Sequence, residues 1–132
     1  MDRAITVGTP VSARDYLRAS VEGARATREY VAELERLPKL ASSVALKAAA
    51  AQLGRRQAVA SLASDRLSAM VVTDRRLEAQ RVDFSRRFAN VVGQMSAIDE
   101  ASARGNRRDF VRARADLAAG IVQLRSSANQ GP

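Results

Sequence analysis

Residues 40–103 read LASSVALKAAAAQLGRRQAVASLASDRLSAMVVTDRRLEAQRVDFSRRFANVVGQMSAIDEASA, a proline-free run whose apolar positions keep one heptad register. One row is Leu46, Leu53, Ala60, Leu67, Asp74, Arg81, Phe88 and Met95; the other is Ala49, Arg56, Ala63, Met70, Leu77, Phe84, Val91 and Ile98. Rows at this spacing make the apolar seams of helices that pack side by side. The chain is therefore expected to be all-α. Charges interrupt the first row at Asp74 and Arg81, just after Val71-Val72-Thr73. Thr73 is expected to cap a new helix there, with Val72 stapled onto Leu77. The alternative is one unbroken helix of 64 residues, about 95 Å long at 1.5 Å per residue. That length exceeds the ordinary globular helix, which favours the break.

Working outward, Pro38 precedes this run and Gly105-Asn106 follows it. Upstream, Ser12 caps a helix from Ala13 with Asp15 at its third position. Leu17, Val21, Ala24, Val31 and Leu34 are read as that helix's apolar stripe, with Tyr16, Tyr30 and Leu37 on a neighbouring edge. Downstream, Gly105 suits a left-handed C-terminal cap and Asn106 caps a last helix. Phe110, Leu117 and Leu124 fold that helix back on Phe84 to Ile98, with Met95 opposite Leu117 and Val91 opposite Ile121. The expected fold is an all-α helical bundle of coiled-coil-like hairpins. Its three to four helices span about 13–37, 40–72, 74–103 and 107–126 in one domain, 12–126. Residues 1–11 are expected to form a flexible arm and 127–132 a disordered tail.

Composition narrows the chemistry. The 132 residues include no Cys and no His, which removes disulfides, thiolate nucleophiles and the commonest general base and metal ligand. Among acid pairs, only Glu29 with Glu33 shares a helical face, too little for a carboxylate site. No enzyme activity, cofactor or metal is expected. No apolar run reaches membrane-span length and the N-terminal sequence lacks a signal-peptide core, so the expected location is cytoplasmic.

The net charge is +8, and residues 38–98 carry ten basic side chains against four acidic ones. Arg55-Arg56, Arg75-Arg76, Arg86-Arg87 and Arg107-Arg108 are candidate anion-binding pairs, since guanidinium groups grip phosphate bidentately. Neighbours on a helix diverge by about 100°, however, so each pair also reads as solvated surface. The hairpin tip, with Asp99, Glu100, Arg104, Arg107, Arg108 and Asp109, reads chiefly as cross-tip ion pairing. The basic, Ala-rich run 40–63 offers little insertion energy, which argues against a membrane partner.

Met70, Asp74, Leu77 and Arg81 are the candidate self-association residues. In an extended antiparallel dimer, Arg81 of one chain meets Asp74 of the other. A break near Thr73 instead gives a compact monomer that covers its own seam. The expected function is a non-catalytic helical interaction module, an adaptor, chaperone or assembly subunit that binds a protein partner or itself as a homodimer. The alternative is a sequence-nonspecific nucleic-acid binder using the Arg-rich surface of residues 39–87.

Overall fold

The computed structural model describes residues 9–128. Their elements are β1 (Thr9–Val11), α1 (Ala13–Leu34), α2 (Ser43–Ala69), β2 (Met70–Val72), α3 (Arg75–Arg104) and α4 (Arg107–Ala128). The four helices form an all-α bundle, α1 packing on α2, α2 on α3 and α3 on α4. α2 runs antiparallel to both neighbours, because Arg66 meets Glu22 and Arg56 meets Glu29 on one side. On the other, Ser68 meets Ser85 and Gln57 meets Ser96.

The long heptad run does break. β-branched Val71, Val72 and Thr73 are poor helix formers, and Met70 leaves the helix with extended torsions. The cap of α3 is Asp74 rather than Thr73: its carboxylate accepts the Leu77 amide at 3.0 Å. Asp outranks Thr at this position, and the carboxylate also suits the positive end of the helix. The single-rod alternative is thereby replaced by an α2–α3 hairpin. Residues 9–11, expected within the flexible arm, instead run parallel to β2, Thr9 beside Met70 and Val11 beside Val72. The rest of that arm, residues 1–8, and the tail from 129 lie outside the described residues. Positions 127 and 128, expected in the tail, continue α4.

Helix 1 differs from expectation in its phase. Its buried face is Tyr16, Ala19, Gly23, Ala26, Thr27, Tyr30 and Leu34, whereas Leu17 and Val21 are 55% and 56% exposed. The reason is the width of Phe88, whose ring lies 3.2 Å from where a Cβ on Gly23 would stand. Small residues on α1 make room for a large ring on α3. Helix 1 also ends at Leu34 rather than running to Pro38.

The core is continuous across all four helices, and Tyr30, Leu46, Leu53, Phe88, Met95, Ile98, Phe110 and Leu117 are all essentially buried. At the α3–α4 turn Gly105 adopts φ 66°, ψ 28°, the left-handed conformation that glycine enters without steric cost. Asn106 caps α4 through the Asp109 amide at 3.0 Å. Contacts of Arg87 with Gln123 and of Gln94 with Gly120 bracket the expected pairing of Met95 with Leu117.

Candidate functional site

The four residues expected at a self-association centre surround the α2–α3 bend. Arg81 is 7% exposed and fully engaged within its own chain. Its Nε and Nη2 donate to the Glu78 carboxylate at 2.8 and 2.6 Å, and Nη1 donates to the Leu67 carbonyl at 2.8 Å. Glu78 in turn accepts the Val72 amide at 2.8 Å. These bonds hold its carboxyl down at about 2, the Arg81 hydrogen bond being the largest cause, opposed by burial. Arg81 thus ties the end of α2 to the start of α3, with its guanidinium engaged inside its own chain. Asp74 is exposed but spends an oxygen on its cap, and Met70 and Leu77 pack against the core.

The arginine doublets do not converge. Arg56 turns to Glu29 and Glu33 on α1, while Arg55 reaches only Gln52. Arg86 and Arg87 both meet Asp83, and Arg107 donates to the Ala41 carbonyl. At least one member of three doublets is thus tied into the fold, whereas Arg75 and Arg76 are exposed and make no ion pair among the described residues.

Two surfaces that sequence reasoning missed stand out. The first is the outer face of α2. Its inner face is buried through Leu46, Leu53, Ala60, Ala63 and Leu67. Val44, Lys47, Ala48, Ala51, Arg55, Ala58, Val59 and Leu62 follow the opposite face, all exposed, Val44 at 78% and Leu62 at 59%. At 100° per residue these positions stay within about 60° of one line. From 44 to 62 the line runs about 27 Å. A helix apolar on both sides is one that expects cover on both. The absence of a clear polar face between 44 and 62 was the available signal.

The second is a trough between α1 and α4. Ala24, Thr27, Arg28, Phe84, Ile121, Leu124 and Arg125 enclose a hollow of about 190 Å³. It joins one of about 320 Å³ that adds Val31, Ala32 and Glu35. α4 packs on α3 and α1 on α2 and α3, so the two outer helices stand apart over this floor.

One buried polar pair is also present. The Tyr30 hydroxyl donates to Asp99 Oδ1 at 2.7 Å and lies 3.1 Å from the Met95 carbonyl. Burial raises the Asp99 carboxyl to about 6, partly offset by the Tyr30 hydrogen bond. Burial and the neighbouring Asp99 raise the Tyr30 phenol above its ordinary range. Tyr30 is wholly enclosed and Asp99 partly so, and the pair joins α1 to α3. Among the described residues no group of three or more acidic, His or Cys side chains is placed to hold a metal ion. No described helix is long and apolar enough to cross a membrane. The chain matches no protein family, no curated protein and no solved structure.

Proposed function

We propose that this chain is a non-catalytic helical interaction module, an adaptor, chaperone or assembly subunit that packs helix against helix with a protein partner or a second copy of itself. The observation that supports it most is α2, whose inner face is covered while its outer face leaves Val44, Val59 and Leu62 exposed beside Lys47 and Arg55. Burying aliphatic surface is worth about 25 cal/mol per Å², and a face some 27 Å long offers enough to matter to an encounter. On this reading the α2 face is favoured over Met70, Asp74, Leu77 and Arg81, because Arg81 is already satisfied within its own chain.

Photo-crosslinking groups placed in turn at Val59, Leu62 and, as a control, exposed Ala119 on α4 test the reading. Discrete adducts from the α2 positions, with a partner or with the chain itself, are expected. Adducts no stronger than those from Ala119 sink it. Sedimentation at micromolar concentration then tells a homodimer from a heteromeric complex. The second reading, nonspecific nucleic-acid binding, draws on Arg75, Arg76 and Arg108, which are exposed and make no ion pair among the described residues. It predicts affinity that falls steeply with salt, unlike an aliphatic helix contact.

A further inference from the structure

The flank of α1 turned towards α2 carries Glu22, Glu29 and Glu33, all paired with α2 arginines. Leu17, Val21, Ala24, Arg28 and Val31 follow one another at spacings of four and three on the other flank, so they form a single line. That line is one wall of the trough described above, and Leu17 and Val21 extend it beyond the hollow itself. Phe84, Ile121 and Leu124 form the apolar floor and far wall. Arg28 and Arg125 stand on opposite walls, both exposed and neither in an ion pair among the described residues. Glu35 is the one acid on the lining, at the end away from Phe84.

We propose that this trough seats an amphipathic helix of a partner protein, its apolar edge on Phe84, Ile121 and Leu124 and its carboxylates turned to Arg28 and Arg125. The inference rests on the interaction-module reading and names the partner's chemistry. α1 and α4 run antiparallel, since one lies parallel and the other antiparallel to α3. The hollows are lined on α1 from Ala24 to Glu35 and on α4 from Ile121 to Arg125, so the α1 wall runs for about three helical turns. Helix-in-groove recognition uses this geometry. A second copy fits poorly, because its most apolar exposed helix brings Lys47 and Arg55 to walls that are already cationic, on a chain of net charge +8. A nucleic acid has no use for the aliphatic floor, and a flat bilayer does not enter a concave trough.

The test uses the whole ¹⁵N-labelled chain and two synthetic helices of about 18 residues. One carries Leu at every third or fourth position with Glu on the flanks; the other replaces each Glu with Lys. Amide shifts at Val21, Ala24, Arg28 and Ile121 are expected with the Glu helix and not the Lys helix, weakening between about 50 and 300 mM salt. Arg28→Glu with Arg125→Glu should weaken the Glu helix at least about tenfold and admit the Lys helix. Both side chains are exposed; should the reversal unfold the chain, Arg28→Gln with Arg125→Gln is read for loss of the charge preference. Shifts confined to the outer face of α2 overturn the trough while leaving the interaction-module reading standing. Equal binding of the two helices at the trough overturns the carboxylate assignment. No shift on either face with either helix removes both.

Discussion

Arg81 and Asp99 show two ways a charged side chain enters this interior. Arg81 is legible in the sequence as a charge on an apolar row; its partner is not, because a Glu three residues earlier is common on any helix surface. Only the bend that brings Leu67 and Val72 around the pair explains why Arg81 is inside. Asp99 is the opposite case, an apparent surface acid at a hairpin tip that packing draws against Tyr30. Its carboxyl titrates near 6 in the fold against an ordinary 3.8. The folded chain therefore holds a proton that the unfolded chain has released between these values. This contribution is fully present below about pH 4 and is lost as pH rises through 6. Asp99→Asn keeps an oxygen acceptor for Tyr30 and removes the buried charge. The variant is expected to unfold at higher urea than the parent at pH 7.5, with the gap closing towards pH 4. Parallel urea midpoints across that range would rule out a raised Asp99.

At the scale of elements, the sequence placed the helices and the Gly105-Asn106 turn, favoured the break near Thr73 while leaving one long helix open, and misjudged one phase. On α1, Leu17 and Val21 outweigh Ala19, Gly23 and Ala26 by hydrophobicity alone, so the wrong line looked apolar. The correct line is set by what it meets, the Phe88 ring against Gly23. The β1–β2 pair was illegible for a similar reason: strands of three residues carry no alternation to read, and their pairing depends on a contact far away in sequence. Glycines make the same point testable. Gly54 and Gly93 sit within helices with open space where a Cβ would go, so Gly54→Ala and Gly93→Ala should each stabilise by about 0.5–1 kcal/mol. Gly105 has a positive φ, and an added Cβ would stand 2.8 Å from Lys47 Cε and 3.3 Å from the Ser43 carbonyl. Gly105→Ala should cost about 1–2 kcal/mol. Thermal or urea titrations in which all three substitutions share a sign would contradict these placements.

For the whole molecule, the question is whether four helices make one cooperative unit or an α3–α4 hairpin beside a looser pair. The heptad rows located Phe84, Phe88, Val91, Met95, Ile98 and Leu117 in the core, and all are buried, with Ile121 packed at its margin. They also carried Leu46, Leu53 and Leu67 on α2, but left open whether these fold back onto α3, and they did not include Tyr30 on α1, through which the same core continues. Coverage between helices depends on how the chain bends at 70–74, and a row of side chains says nothing about the bend. The α1–α4 trough was hidden for the same reason, whereas the outer face of α2 left a trace in the lack of a clear polar face between 44 and 62. Phe88 is the residue on which the distinction turns. Its ring is wholly buried, stacks on Phe84 with centroids 6.1 Å apart and closes over Gly23. It therefore joins α3 to α1 while α4 packs on α3 from the other side. Phe88→Ala removes a large ring from a site that cannot collapse, because Gly23 offers no side chain to fill it, and should cost about 3–5 kcal/mol. If the core is one unit, helix content by circular dichroism and tyrosine fluorescence from Tyr16 and Tyr30 should move together to lower urea in a single transition. Neither tyrosine lies on α3 or α4, so a separate hairpin would leave the fluorescence midpoint in place while part of the helix signal shifted. That divergence, or a total loss below about 1 kcal/mol, would show that α1 and α2 fold without reference to Phe88.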